Sequence, residues 1–289
     1  MTASARVRIT SPDRMLWPDD HITKQGLIDH YLAVGSLMLK ELKGRLLTLV
    51  RAPGGVRGEV FFQKNAPDYT PDWIKTVTVP APSAKRDVRF LVCESIDTLL
   101  WIANQSGVEL HPCLDRTDKP GRPDLLVFDM DPPAGRFELA VEAALIMRGV
   151  LQEVGLEPLV KTTGGKGLHV FIRIERRYGF DETHAVARSL ADKAISKAKT
   201  LLTLEFKKVD RGKRVFLDIH RNAPGATLVA PFSPRAHPGA PVSFPITWDQ
   251  VTHCAPGDYT VANVKGLLGS RGVAQWKDGL TSKQRLPRS

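Results

Sequence analysis

Residues 125–133 read LLVFDMDPP, an apolar run that leads directly into two aspartates and ends at two prolines. Four apolar residues in succession are typical of a strand that is buried on both faces. Because side chains alternate along a strand, Asp129 and Asp131 point to the same face. The stretch therefore predicts a central strand that carries a pair of carboxylates at its end.

Helical and strand-like patterns alternate on both sides of this stretch. Apolar spacing predicts helices over residues 24–42, with Thr23 as the N-cap, and over 96–103, 137–154 and 181–198. Strands are predicted at 46–50, 60–62, 74–79, 88–92, 158–163, 169–174, 214–219 and 226–231. Because short loops join some neighbouring strands and helices join others, we expect an α+β fold of mixed or antiparallel sheets flanked by helices.

The composition favours a polyanionic partner. The chain of 289 residues has a formal net charge of +10, spread along its length, and basic surface attracts phosphate. The three cysteines lie far apart without a CxxC pair, so the sequence indicates neither a zinc knuckle nor a disulfide framework. No apolar run approaches the roughly 20 residues needed to cross a bilayer. We therefore expect no membrane partner and a cytoplasmic location.

A third carboxylate, Asp218, lies in the apolar stretch RVFLDI. Burying an unpaired charge is costly, so this side chain either completes a metal site or pairs with an arginine such as Arg211 or Arg214. Three carboxylates suit two hard divalent ions of the kind that catalyse phosphoryl transfer. The alternative for Asp129 and Asp131 taken alone is a helix cap or a turn pair.

Residues 162–167, TTGGKG, fall between two predicted strands. The glycines would let backbone N–H groups approach phosphate oxygens, and Lys166 would add a positive charge. The GxxxxGK[ST] spacing of a Walker A loop is absent, and a tight hairpin is the alternative. His111 and His169 are further candidate donors to phosphate, although a single histidine is more often structural.

Ordered motifs along nearly the whole chain resemble the polymerase domain of bacterial ligase D, a member of the archaeo-eukaryotic primase superfamily. They are SPDRMLWPDDHITKQGLIDHY, GRLLTLVRAPGG, EVFFQKNAP, ELHP, PDLLVFDMDPP, VKTTGGKGLHV, RGKRVFLDIHRN and ATLVAPFSPRAHPGAPVSFPITWDQV. The resemblance implies a primase-like catalytic core. It also implies template-dependent addition of nucleotides to DNA ends or gaps by two-metal-ion transfer, in non-homologous end joining or gap repair.

The resemblance also implies roles for individual residues. Asp129, Asp131 and Asp218 would be catalytic and would bind two Mn²⁺ or Mg²⁺ ions. The incoming nucleotide would be bound by His111, Thr163, Gly164, Lys166, Gly167, Arg211, Arg235, Phe61 and Phe62. The phenylalanines would form a stacking platform, although alternation along a strand lets only one of them face the cleft. Arg14 and Lys24, on either side of a short turn, would bind the 5′-phosphate of a DNA break.

We expect one primase-polymerase domain over residues 1–289. Residues 1–110 would hold the DNA-end and template contacts, and residues 111–289 the catalytic core. The expected partners are gapped or broken DNA with a 5′-phosphate, NTP or dNTP, Ku, and a separate DNA ligase. The sequence has no KxDG adenylation motif. The chain is therefore expected to be either a stand-alone protein or an excised domain. Thr163 stands where a serine is common in the family. Arg221 stands where some members have a smaller polar residue.

Three alternatives use the same residues. A non-catalytic DNA-end binding module would keep Arg14 and Lys24, but the intact Asp129, Asp131 and Asp218 favour an enzyme. A metal-dependent nuclease would also use clustered carboxylates, and a DxD glycosyltransferase would use them on a sugar nucleotide. The glycine loop and the net positive charge favour a triphosphate and a nucleic acid over a sugar acceptor.

Overall fold

The computed structural model describes residues 6–81 and 86–287. Its helices are α1 (Lys24–Leu42), α2 (Ile96–Asn104), α3 (Phe137–Glu153), α4 (Phe180–Lys197) and α5 (Arg271–Gly279). Its strands are β1 (Met15–Trp17), β2 (Ile22–Thr23), β3 (Leu46–Arg51), β4 (Phe61–Gln63), β5 (Thr76–Ala81), β6 (Arg86–Val92), β7 (Gly107–Pro112), β8 (Leu125–Asp131), β9 (Leu159–Thr162), β10 (Leu168–Arg173), β11 (Leu202–Thr203), β12 (Val215–Asp218) and β13 (Pro245–Ile246).

The chain forms two compact units. The first comprises the residues up to 118 together with 227–243 and 259–268, and the second comprises 119–226, 244–258 and the residues from 269 onward. Each unit has its own sheet and its own helices, so the predicted α+β class is confirmed. Within the described ranges, no helix is long and apolar enough to span a membrane.

The first unit is built on a five-stranded sheet with β3 at its centre. Strand β7 runs antiparallel along one edge of β3, while β6 and β4 share its other edge and β5 pairs with β6. Helix α1 begins where the Thr23 hydroxyl accepts a hydrogen bond from the Gly26 N–H, as the sequence predicts. Its Tyr31 hydroxyl donates to the Val108 carbonyl at 2.8 Å, which joins α1 to β7.

The second unit is built on a six-stranded sheet in the order β11-β12-β8-β10-β9-β13. All pairs are antiparallel except β11 with β12. The run Leu125–Met130 supplies the core of β8, and its apolar side chains are buried as the sequence predicts. Helices α3 and α4 pack against each other and both contact β8. The two aspartates at the end of β8 are therefore held by a strand that is paired along both edges and contacted by two helices.

One predicted strand is wrong. Residues 226–231 make only an isolated bridge, from Thr227 to Cys113. The Leu228 and Ala230 N–H groups do reach the Pro112 and Leu110 carbonyls, at 3.2 and 2.8 Å. Neither bond is returned, because proline has no N–H and the Leu110 N–H donates to the Ser233 hydroxyl at 2.9 Å. The ladder with β7 therefore does not form. Strand β7 itself, the short strands β1, β2, β11 and β13, and helix α5 were not predicted.

Candidate active site

A row of polar side chains crosses four adjacent strands of the second unit. Asp129 on β8 lies directly opposite Asp218 on β12 and His169 on β10. Lys161 on β9 lies opposite His169 and is only 1% exposed. Directly opposed residues of an antiparallel pair have Cβ atoms about 4.5–5.5 Å apart. The row therefore concentrates charge inside the sheet.

Arg221 lies against both aspartates of this row. Its Nε atom is 3.4 Å from Asp129 Oδ2 and 3.2 Å from Asp218 Oδ2. Like charges directly opposite each other in a sheet repel, and the guanidinium offsets that repulsion. The arginine beside Asp218 is thus Arg221, not Arg211 or Arg214 as expected, because the chain turns back over the strand end immediately after Asp218.

The ionisation states of the row follow from burial and from neighbouring charges. Burial raises the pKa of Asp129, but His169, Arg221 and Lys161 outweigh burial and lower it to about 2. Burial, reinforced by Lys161, lowers the pKa of His169 to about 4, although its Nε2 lies 3.4 Å from Asp129 Oδ1. Burial raises the pKa of Asp218. At neutral pH, Asp129 is a carboxylate and His169 is a neutral ring.

Asp131 faces a different pair of cations. Lys166 Nζ lies 2.7 Å from its Oδ1, and Arg211 Nη1 lies 3.1 Å from its Oδ2. The Arg211 guanidinium also stacks 3.9 Å from the centre of the Phe216 ring and donates to the Phe206 carbonyl at 2.7 Å. Arg211 therefore lies beside Asp131.

The carboxylates fit divalent ions by their chemistry. Within residues 6–81 and 86–287, no three Asp, Glu, His or Cys side chains are arranged as a ready metal-binding group. Each carboxylate instead faces a cation of the chain itself. Arg221 Nε lies within 3.4 Å of a carboxylate oxygen of both Asp129 and Asp218. The two carboxylates therefore contact the same positive charge. Carboxylate oxygens are the ligands that Mg²⁺ and Mn²⁺ prefer.

The glycine-rich loop forms a tight hairpin between β9 and β10. The Thr163 N–H donates to the Gly167 carbonyl at 3.1 Å, and the Thr163 hydroxyl accepts from two backbone N–H groups of the loop. Gly164 has a φ of +68°, and a Cβ on Gly167 would lie 2.1 Å from the Met130 carbonyl oxygen. The hairpin carries Lys166 to Asp131 and to the Pro132 carbonyl, 2.9 Å from Nζ.

His111 and Arg235 lie together in the first unit. His111 Nε2 and Arg235 Nε donate to one oxygen of Glu109 at 2.7 and 2.9 Å, and the Ala236 N–H donates to its other oxygen at 2.8 Å. Burial raises the pKa of Glu109, but His111 and Arg235 outweigh burial and lower it to about 2. Glu109 was not among the predicted site residues. The alternation of apolar Val108 with polar Glu109 is the sequence pattern that could have predicted a strand here.

The two phenylalanines of β4 have different surroundings. Phe62 is 71% exposed and meets the His111 ring edge-on, with the ring centres 6.0 Å apart. The Arg51 guanidinium lies 5.7 Å from the centre of the Phe61 ring. Only Phe62 accompanies His111, which agrees with alternation along a strand.

Arg14 and Lys24 are brought together by the pairing of β1 with β2. The Lys24 N–H donates to the Arg14 carbonyl at 2.8 Å. The Arg14 side chain is exposed and donates to the Pro53 carbonyl at 2.9 Å. Lys24 is only 3% exposed, and its Nζ donates to the Thr10 carbonyl at 2.7 Å. Burial and the Arg14 charge lower the pKa of Lys24.

The predicted site residues form one set in each unit. The second unit holds Asp129, Asp131, Thr163, Gly164, Lys166, Gly167, Arg211 and Asp218. The first unit holds Arg14, Lys24, Phe61, Phe62, His111 and Arg235. In the second unit, Lys166 and Arg211 both pair with Asp131. In the first unit, His111 and Arg235 both pair with Glu109.

Similar proteins are known for nearly the whole chain. The family model of the LigD primase-polymerase domain matches residues 23–275. The multifunctional non-homologous end joining protein LigD of Pseudomonas aeruginosa is 32% identical over 287 residues, which cover 98% of this chain and 34% of that protein. The bifunctional non-homologous end joining protein LigD of Bacillus subtilis is 30% identical over 270 residues, 92% of this chain and 43% of that protein. The chain thus spans less than half the length of these relatives.

A solved structure shows the same fold. The polymerase domain from Mycobacterium tuberculosis ligase D in complex with DNA matches with a TM-score of 0.87 at 29% sequence identity. The match covers 93% of this chain and 96% of that domain. The primase-like core expected from the sequence motifs is confirmed.

Proposed function

The chain belongs to the LigD primase-polymerase family and is a nucleotidyltransferase of that family, and we propose that it extends DNA ends and gaps during non-homologous end joining. The observation that carries this proposal is the opposition of Asp129 and Asp218 inside the sheet, next to the hairpin of Lys166. A module that only binds DNA ends gains nothing from two buried like charges, which cost stability. A metal-dependent enzyme needs them.

We assign the carboxylates to Mn²⁺ or Mg²⁺, bound as two ions. Asp129, Asp131 and Asp218 would hold them, and bound ions of this kind activate the attacking hydroxyl and neutralise the triphosphate. The low pKa of Asp129 keeps this ligand ionised at neutral pH. Neutral His169 lies against Asp129 and orients the carboxylate without adding a competing positive charge.

We assign the triphosphate of the nucleotide to Lys166, whose side chain is 51% exposed on a hairpin closed by Thr163 and Gly167. Arg211 lies on the other oxygen of Asp131 and can add a second positive charge. The contacts with nucleotide or template implied for His111, Arg235, Phe61 and Phe62 are part of the same proposal. In that set Glu109 would be a positioning residue, because it orients His111 and Arg235.

The proposed partner is DNA with a gap or a broken end. The net charge of +10 suits a polyanion, and the solved relative from Mycobacterium tuberculosis was obtained with DNA. Arg14 and Lys24, which lie next to each other just before β1 and just after β2, would bind a downstream 5′-phosphate. The relatives are named for non-homologous end joining, so Ku and a separate DNA ligase are proposed as further partners.

Primer extension tests the proposal. A labelled primer on gapped DNA is incubated with Mn²⁺ and NTP or dNTP, beside the same DNA without nucleotides. The wild type should extend the primer as the template directs, while Asp129→Asn and Asp131→Asn should abolish extension and keep DNA affinity, measured by fluorescence anisotropy. Asp192→Asn is the matched control, because it removes an exposed carboxylate of α4 that pairs with Arg188.

The same reactions separate the alternatives. Shortening of the labelled strand without nucleotides would indicate a metal-dependent nuclease. DNA binding without extension would indicate an end-binding module. Full extension by the Asp129→Asn variant would refute the assignment of the carboxylates.

A further inference from the structure

The position of Arg221 between two proposed metal ligands is imposed by the fold. Arg221 lies in a single 3₁₀ turn, His220–Asn222, directly after β12. The fully buried Asn222 side chain accepts from the Val127 N–H at 2.8 Å and donates to the Val127 and Ile219 carbonyls at 2.7 and 2.9 Å. These bonds fasten the turn to β8, the strand that carries Asp129.

The turn also fixes which carboxylate oxygen meets the arginine. Asp218 Oδ1 accepts a hydrogen bond from the His220 N–H at 2.8 Å. Its other oxygen, Oδ2, is the atom that lies 3.2 Å from Arg221 Nε. Asp218 therefore presents one oxygen to the backbone and the other to the position that it shares with Asp129.

The contact between Arg221 and the carboxylates is one of charge rather than of directed hydrogen bonds. Arg221 Nε is buried, yet it has no hydrogen-bond partner of suitable geometry in the part of the chain that the structure describes. A buried donor without a hydrogen bond costs free energy. Since the side chain as a whole is 41% exposed, the guanidinium can move out without disrupting a packed core.

We propose that Arg221 is an internal counterion that occupies the position of a divalent cation between Asp129 and Asp218 and is displaced when the cation binds. The proposal rests on the proposed function, because it requires that these two carboxylates bind a metal ion. In the metal-free protein Arg221 offsets the repulsion within the aspartate pair. When metal is present, the guanidinium and the ion compete for the same oxygens.

Competition predicts that removing the guanidinium strengthens metal binding. Mn²⁺ is titrated into chelator-treated protein without DNA or nucleotide, and free Mn²⁺ is measured by electron paramagnetic resonance. Arg221→Gln should bind Mn²⁺ roughly tenfold more tightly than the wild type, within the usual range for two coupled ligands. Arg221→Lys, which keeps the charge, should bind more weakly than Arg221→Gln.

Arg214→Gln is the matched control for charge. It also removes one arginine, but the Arg214 guanidinium donates to the carbonyls of Arg211 and Asp210 and makes no ion pair in the described residues. Its Mn²⁺ affinity should equal that of the wild type. Equal tightening by Arg214→Gln and Arg221→Gln would show a general effect of net charge and would overturn the proposal.

Thermal unfolding gives a second readout, obtained separately from the titration. In EDTA, Arg221→Gln should melt below the wild type, because its two aspartates have lost their counterion, and Mn²⁺ should raise its Tm more than that of the wild type. Unchanged Mn²⁺ affinity and unchanged Tm in Arg221→Gln would overturn the proposal. If Asp129→Asn binds Mn²⁺ as well as the wild type does, the metal site itself fails, and the proposed function fails with it.

Discussion

Replacement of Glu109 by glutamine should destabilise the protein in a pH-dependent way. The substitution keeps the size of the side chain but removes the charge that accepts hydrogen bonds from His111, Arg235 and Ala236 at 2.7–2.9 Å. Glu109 is buried, so water cannot replace these bonds. Both histidine and arginine then lose the carboxylate that orients them.

The magnitude follows from the pKa of Glu109. In the folded protein it is lowered from 4.5 to about 2. At about 1.4 kcal/mol for each tenfold change in the ionisation constant, the folded state favours the carboxylate by roughly 3 kcal/mol. Because the folded pKa is the lower one, this stability is present above about pH 4.5. It is lost as the pH falls towards 2.

Urea unfolding followed by tryptophan fluorescence measures the effect. At pH 7, Glu109→Gln should lower the free energy of unfolding by about 3 kcal/mol, and the difference from the wild type should shrink steadily between about pH 4.5 and pH 2. Glu94→Gln is the control, since Glu94 makes an ion pair with Lys75 at a part-exposed position. Its effect should stay below about 1 kcal/mol.

Two results would refute the reasoning about Glu109. A loss below about 1 kcal/mol at pH 7 would show that its three hydrogen bonds contribute no more than an exposed ion pair. A loss of the same size at pH 7 and near pH 2 would show that the effect arises from packing rather than from charge.

Other predictions concern the turn after β12 and the DNA contacts. Asn222→Ala removes a fully buried amide that bonds both backbone groups of Val127, so we expect a loss of about 2–4 kcal/mol in urea unfolding; a loss below about 1 kcal/mol would contradict this. DNA affinity should fall steeply between about 50 and 200 mM salt, and a flat dependence would speak against phosphate contacts. Removal of a downstream 5′-phosphate should weaken wild-type binding by roughly 1.5–3 kcal/mol. Arg14→Ala should abolish that preference with little loss of stability, since its bond to the Pro53 carbonyl is exposed, whereas Lys24→Ala should also lower the Tm because its buried ammonium group bonds the Thr10 carbonyl. Equal affinity of the wild type for both ends would reject the assignment of the 5′-phosphate to Arg14 and Lys24.

Local patterns predict the long elements well. Helix α1 spans the predicted residues 24–42, because the Thr23 cap and the apolar spacing are both encoded within the helix itself. The apolar run of β8 likewise predicts a buried strand from local sequence alone, and this prediction places the two aspartates at the end of the strand. The site residues that depend only on position along one strand were therefore predictable.

Contacts between distant segments were not predictable in this way. The opposition of Asp129 and Asp218 depends on the register of β8 against β12, which no local pattern encodes. Arg211 and Arg214 were predicted as partners of Asp218, whereas the turn held by Asn222 places Arg221 there instead. Glu109 was missed for the same reason, since Arg235 reaches it from a distant segment.

The row from Asp218 to Lys161 draws each of its four members from a different strand. A slip of one residue in β8, β10 or β12 would turn the corresponding side chain to the opposite face of the sheet. No rotation of a side chain could restore the row after such a slip. On the proposed assignment of the carboxylates, a slip in β8 or β12 would separate Asp129 from Asp218, and such a mispaired molecule would be inactive rather than an error-prone enzyme.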